Sequence, residues 1–202
     1  MTHPSTSHRA GGLLIAFEGL DQSGKQTQAE LLRDRLSAAG RRTRLLAFPD
    51  RETAIGQEIE RALRGGRDYT ADVMQLLYVA NRYEWKREIE RERSDGTIII
   101  CDRYLASSVA YGEAQGLDPV WLIEMQRHLP QPDITFLLDI APEASARRKT
   151  ADRDKYERDL SLLARVRESY IRQAVNGWVR LSADRDRAQV AADVWAAVEP
   201  RL

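Results

Sequence analysis

The segment Phe17-Glu18-Gly19-Leu20-Asp21-Gln22-Ser23-Gly24-Lys25-Gln26-Thr27-Gln28 follows the apolar run Leu13-Leu14-Ile15-Ala16, so a strand is expected to turn through two glycines into a helix. Such a turn leaves successive backbone N–H groups unpaired and aimed at one point, at the positive end of a helix dipole, where a polyphosphate is held. Lys25 adds a point charge for the outer phosphates. The spacing from Gly19 to Lys25 is that of the P-loop, G-x-x-x-x-G-K-[ST], with Gln26 in place of the hydroxyl residue expected to hold magnesium. An amide oxygen reaches a cation from a longer side chain and with another geometry, so the metal shell must differ here or be completed by water and carboxylates. An ordinary glycine-rich turn between strand and helix is the bland alternative.

Further groups fall at other strand ends. Asp102-Arg103-Tyr104 follows the apolar run Ile98-Ile99-Ile100-Cys101. A carboxylate and a guanidinium there, facing a P-loop, suit magnesium and a second phosphate group respectively; a local ion pair that merely ends a strand is the alternative. In Phe48-Pro49-Asp50-Arg51 the proline halts a ladder and leaves an exposed arginine. Tyr78 and Arg82, four apart in a helical segment, share a face on which a ring and a fork of donors can grip a heterocyclic base, although a core helix would also place a tyrosine there. The pairs Glu84–Arg87, Glu88–Arg91 and Glu90–Arg93 read as a solvated face. Residues 147–158 form a charged connection between two helices, fit either to close over a triphosphate as a lid or to stand as an exposed junction.

To bring these groups together the chain needs several strands ending at one edge. Strand-like runs recur at Leu13–Glu18, Thr43–Phe48, Thr97–Cys101, Ile134–Ile140 and Trp178–Leu181, separated by segments of helical spacing. They predict an α/β fold with a five-stranded, mainly parallel sheet and helices on both faces, three layers in all. Ligands of such sheets bind beyond the carboxyl ends of the strands, which selects Asp21 to Gln26, Pro49 to Arg51, Asp102 to Tyr104 and the segment after Ile140.

The 202 residues suit one domain over 12–202, with residues 1–11 as a flexible tail in which His3 and His8 make no metal site. Basic and acidic residues balance at 31 each, which argues against a nucleic-acid polymer or an anionic membrane as partner. One cysteine, Cys101, excludes an intrachain disulfide and reads as a buried strand thiol. Neither a membrane helix nor a secretory leader is apparent, so a soluble, cytoplasmic protein is expected.

In order and spacing, Phe17-Glu18-Gly19-Leu20-Asp21, Phe48-Pro49, Asn81-Arg82, Asp102-Arg103-Tyr104 with Ser107 and Tyr111, Leu129-Pro130-Gln131-Pro132-Asp133, and Lys155-Tyr156-Glu157 resemble the thymidylate kinases, a family of P-loop nucleoside monophosphate kinases. The resemblance runs from about Gly12 to the C-terminus. It implies the P-loop NTPase fold and transfer of the γ-phosphoryl of ATP to the 5′-phosphate of dTMP, giving dTDP, with Mg2+. By this likeness Gly19, Gln22, Ser23, Gly24, Lys25, Gln26, Thr27 and Arg148 hold ATP, and Asp21, Asp102 and Gln26 serve the metal. Arg51 and Arg103 bind the acceptor phosphate, Tyr78 stacks on thymine and Arg82 reads its carbonyl edge. Ser107 or Ser108 makes a polar contact nearby, Tyr111 lies against the sugar, and Phe48 and Tyr156 complete the acceptor site. Asp21, Lys25, Arg103 and Arg153 are the expected catalytic set. Gln22 stands where some members carry an arginine, so the lid is expected to supply it, from Arg153 or, second, Arg148. A homodimer is implied by the same likeness. The competing readings are a kinase for another (deoxy)nucleoside monophosphate, a nucleotide-binding relative impaired by Gln26 and Gln22, and a purely structural domain.

Overall fold

A computed structural model describes residues 11–148, 156, 159–175 and 177–202. The expected tail up to Ala10, Arg153 and most of the 147–158 connection lie outside these residues. The chain runs β1 (Leu14–Glu18), α1 (Lys25–Ala38), β2 (Thr43–Ala47), α2 (Ala54–Leu63), α3 (Ala71–Ser94), β3 (Ile98–Asp102), α4 (Leu105–Ala114), α5 (Pro119–Glu124), β4 (Ile134–Asp139), α6 (Pro142–Arg148), α7 (Leu160–Gln173), β5 (Trp178–Ser182) and α8 (Arg187–Val198). Each strand lies within one residue of its expected bounds. Helix α6 continues through Arg148, so the first two residues of the expected connection, Arg147 and Arg148, are helical.

The strands form one sheet in the order β2-β3-β1-β4-β5, and every pairing is parallel. Phe17 stands opposite both Asp102 of β3 and Phe136 of β4. The turn after β1 is therefore flanked by the turns after β3 and β4, the arrangement a ligand site needs at the carboxyl edge.

Both faces of the central strands are apolar because both are covered. Ile15, Phe17, Ile98, Ile100, Ile134 and Phe136 pack with residues of α1, α7 and α8, and the Phe17 and Phe136 rings stack with centroids 5.0 Å apart. On the other face Leu14, Ala16, Ile99 and Cys101 meet Ile89 and Trp85 of α3. Cys101 is the buried strand thiol expected, and burial pushes its pKa well up.

The charged half of α3 departs from its expected pairing. Glu88 and Arg91 do pair, but Glu84 accepts from Asn81 Nδ2 at 3.0 Å. Arg93 leaves Glu90 and donates to Gly12 O at 3.1 Å and Asp133 Oδ2 at 2.8 Å. Partners on other elements win because they offer a backbone carbonyl and a half-buried carboxylate, whereas exposed pairs along a helix contribute only about 0.3–0.5 kcal/mol.

Candidate active site

The turn after β1 depends on glycine at each end. Gly19 has φ 138°, and a Cβ there would stand 2.5 Å from Leu138 O, so β4 approaches too closely for any side chain. Gly24, at φ 91°, caps α1 without a side-chain hydrogen bond, and a Cβ on it would meet nothing within 4 Å. That open space beside the uncapped N–H groups of α1 has the room and the donors to cradle an anion. Between them Gln22 is held at φ 59°, unfavourable for a residue with a side chain. Ser145 of α6 fixes the turn by donating to Asp21 O at 2.7 Å.

Lys25 is buried and donates through Nζ to Leu20 O at 2.7 Å. Burial lowers its pKa to about 8; Arg103 adds repulsion, and Asp102, Asp21 and Glu18 pull in the opposite sense.

Arg103 is the second non-glycine residue at positive φ, 63°, a conformation found where surroundings over-determine a functional residue. Its Nη2 donates to Asp21 Oδ1 at 2.7 Å, and Nη1 donates to Gly19 O at 3.1 Å and to the hydroxyls of Ser107 and Tyr170, each at 3.3 Å. Burial works against the guanidinium charge, but Asp21 raises its pKa well above the ordinary value. Burial likewise pushes Asp21 up, yet Arg103 and Lys25 outweigh it and hold the carboxyl well below the usual range. Tyr111 donates to Asp21 Oδ2 at 3.0 Å. Beneath this pair lies Glu18, buried at the end of β1, which accepts from Tyr104 N at 2.8 Å, Ser107 Oγ at 2.6 Å and Tyr170 OH at 3.3 Å.

Two cavities meet at Asp21 and Arg103. The first, of about 570 Å³, is lined by Gln75, Tyr78 and Arg82 from α3, by Ser107, Ser108 and Tyr111 from α4, and by Phe48, Arg51, Asp21, Arg103 and Tyr156. Arg82 is buried there, its Nη1 donating to Ser108 Oγ at 2.7 Å while its Nε has no partner. The rings of Tyr111 and Tyr156 meet edge to face. The second is an open groove of about 1790 Å³ along Gly24, Lys25, Gln26, Thr27 and Asp102, and it shares Asp21, Phe48, Pro49, Arg51 and Arg103 with the first. A smaller recess of about 520 Å³ lies behind the turn, between Ser23, Gly24, Thr27 and Arg148. The guanidinium of Arg148 spans from Gln22 O at 3.0 Å to Ala183 O at 2.8 Å.

The two cavities thus form one continuous surface, with Lys25 in one, Arg82 in the other and Arg103 where they meet. A model of the thymidylate kinase family matches residues 17–194. The chain belongs to that family. It is 40% identical over 147 residues to the thymidylate kinase of Schizosaccharomyces pombe, covering 73% of this chain and 70% of that one. To the thymidylate kinase of Arabidopsis thaliana it is 37% identical over 178 residues, covering 88% and 67%. The solved thymidylate kinase structure from Candida albicans superposes with a TM-score of 0.80 at 30% identity, over 94% of this chain and 92% of that one.

Most of the site residues expected of a thymidylate kinase gather on these surfaces. Arg51 reaches the shared wall, though it is exposed and ion-paired to Glu60 at 3.0 Å. Gln26 lines the groove, but its amide nitrogen donates to Glu30 Oε1 at 2.9 Å. Asp102 Oδ1 is buried without a hydrogen-bond partner. Among the described residues no cluster of three or more metal-ligating side chains occurs, so a cation in the groove would draw most of its shell from phosphate and water. Sequence reasoning gave no functional place to Tyr170 or Gln75, and gave Glu18 one only as part of a motif. Glu18 carried a signal, a carboxylate closing an apolar strand beside a P-loop glycine. Gln75 carried one too, being three and seven residues before Tyr78 and Arg82 on one helix face.

Proposed function

We propose that the junction of the two cavities is where the γ-phosphoryl of ATP passes to the 5′-phosphate of dTMP, giving dTDP. The observation that carries this is that Asp21 and Arg103 form one wall of both cavities, so donor and acceptor groups share a boundary. Phosphoryl transfer to an acceptor that is already an anion needs alignment and charge stabilisation more than a base. Lys25 and the N–H groups from Gly24 onward bind the donor phosphates, while Arg103 and Arg51 bind the acceptor phosphate. Asp21 holds Arg103 in place through the 2.7 Å pair and, with Tyr111, borders the acceptor sugar. Tyr78 stacks on the base, and Arg82, steadied by Ser108, donates to its carbonyl edge.

Magnesium fits the groove: the buried oxygen of Asp102 that lacks a partner is a carboxylate oxygen left over for a cation. Asp102 would hold the ion, with Asp21 and Gln26 at the same groove. Bound there, the ion would supply neutralisation of the phosphate charge. The resemblance alone supports Arg153 as the lid arginine, with Arg148 second.

A homodimer in the cytoplasm completes the reading. The exposed apolar side chains Leu76, Val120 and Ile123 on α3 and α5 support self-association, and no helix among the described residues is long and apolar enough to cross a membrane.

A coupled assay with ATP and magnesium across the common nucleoside monophosphates tests the function. Turnover is expected to rise most steeply with dTMP. ATP hydrolysis indifferent to every acceptor would sink the proposal, and a preference for dCMP would move it to another kinase of the class.

A further inference from the structure

We infer that Gln75 reads the base in the acceptor cavity, presenting a paired donor and acceptor to the imide edge of a pyrimidine. This rests on the acceptor-cavity reading above and names a residue that reading does not use.

Gln75 is only 1% exposed, and neither Nε2 nor Oε1 has a hydrogen-bond partner. Leaving a buried polar atom unpaired is costly, so a carboxamide with both atoms idle is an oddity inside a packed helix layer. It lines the same cavity as Tyr78 and Arg82, and at helical spacing i, i+3 and i+7 the three side chains share one face of α3.

Helix α4 leaves room for it at one glycine. A Cβ on Gly112 would stand 3.3 Å from Gln75 Cγ and 2.7 Å from both Leu122 methyl carbons, so the stem of Gln75 lies against bare backbone there. Ser108, one helical turn before Gly112, is the residue that steadies Arg82. The idle amide and the idle Nε of Arg82 therefore belong to the α3–α4 side of one cavity.

The chemistry of those atoms is that of a missing imide. Thymine offers an N–H donor flanked by two carbonyl acceptors. Gln75 Oε1 accepts from the ring N–H and its Nε2 donates to one carbonyl, while the Arg82 Nε–H serves the other. A base with an exocyclic amine in place of that second carbonyl sets a donor against Arg82 and lacks the ring N–H.

The test is Q75L, which keeps the approximate volume and removes both polar atoms. The dissociation constant for dTMP, measured by calorimetry, is expected to rise about tenfold, with kcat at saturating dTMP and KM for ATP within about twofold of wild type. The thermal midpoint without ligand is expected to hold or rise, because two unpaired atoms are gone, whereas a purely structural glutamine would lower it and leave dTMP affinity alone. On the unmutated protein, N3-methyl-dTMP is expected to bind at least about tenfold more weakly than dTMP. Unchanged dTMP affinity in Q75L, or equal affinity of wild type for dTMP and its N3-methyl derivative, overturns this inference alone. Wild-type protein that binds no dTMP removes the reading beneath it as well.

Discussion

Tyr170 of α7 sets its hydroxyl 3.3 Å from Arg103 Nη1 and 2.9 Å from Ser107 Oγ, so the helix that follows the charged connection touches the arginine shared by the two cavities directly. The same hydroxyl donates to buried Glu18. The phenol in this position touches Arg103, Ser107 and Glu18 at once. In Y170F each loses a partner while the ring still fills its place. Stability is expected to fall by about 1–3 kcal/mol, and kcat/KM for dTMP about tenfold, with KM for ATP nearly unchanged. Steady-state kinetics beside a denaturant titration reads both, and wild-type kcat/KM in Y170F would show that Tyr170 serves the fold alone.

Asn81 plays the corresponding part for the loop after β2. Its Oδ1 accepts from Asp50 N at 2.7 Å, and its Nδ2 donates to Asp50 O at 3.1 Å and Thr53 Oγ1 at 2.9 Å. Trp85 adds a bond to Asp50 Oδ2 at 2.8 Å. The loop that carries Arg51 is thus tied to α3, one residue before Arg82. N81A removes the tie and opens a void in a fully buried place, so a loss of about 2–4 kcal/mol is expected in chemical denaturation. KM for dTMP should rise in parallel, and a variant whose KM stays put would separate the loop from acceptor binding.

These two ties mark the border of what the sequence discloses. The turn from Gly19 to Lys25, the strand ends and the Tyr78–Arg82 face were legible because each is written in neighbouring residues, as spacing or periodicity. The Glu18–Tyr170 bond joins residues 152 apart, and nothing local to either tells of the other. Arg93 shows the same limit from the opposite side: its helix neighbour Glu90 was the legible partner, and Asp133, forty residues on, is the actual one. Gln75 offered only its spacing from Tyr78 and Arg82, since an absent hydrogen bond has no trace in a sequence.

If Lys25 binds the donor phosphates as proposed, nucleotide binding is expected to depend on pH. Burial lowers its pKa to about 8, well under the ordinary lysine value, and phosphate oxygens favour the ammonium. Above pH 8 the free protein must take up a proton to bind ATP, and the dissociation constant is expected to weaken by up to about tenfold per pH unit. Folding responds in the other direction. The unfolded chain holds this proton more tightly, so Lys25 disfavours folding at and below pH 8, and that penalty is relieved as pH rises toward the unfolded pKa. Calorimetry at pH 9 in buffers of different ionisation enthalpy should show proton uptake with ATP; none would mean that Lys25 is already charged in the free protein.

Asp102 gives a test of the metal reading. Its Oδ1 has no hydrogen bond to lose, but D102N removes a carboxylate charge that attracts buried Lys25 and Arg103, so stability is expected to fall by about 1–2 kcal/mol with the fold intact. With an amide in place of a carboxylate the groove loses a hard oxygen ligand. The magnesium concentration for half-maximal turnover is expected to rise at least about tenfold. A magnesium titration superimposable on wild type would remove Asp102 from the metal site.

The two loop glycines separate folding from function. In G19A the new methyl would sit 2.5 Å from Leu138 O on a backbone at φ 138°. Neither β4 nor the turn can yield without breaking sheet pairing, so a loss above about 3 kcal/mol is expected. In G24A the methyl meets no atom within 4 Å, and the cost is the backbone strain of a side chain at φ 91°, about 1–3 kcal/mol. Yet that methyl enters the space where a phosphate would approach the first N–H groups of α1. A ligand at one hundred times its dissociation constant stabilises by about 2.7 kcal/mol. Wild type should show that stabilisation with ATP, and G24A, though folded, should show almost none. Full ATP stabilisation in G24A would place the donor phosphates elsewhere than this cradle.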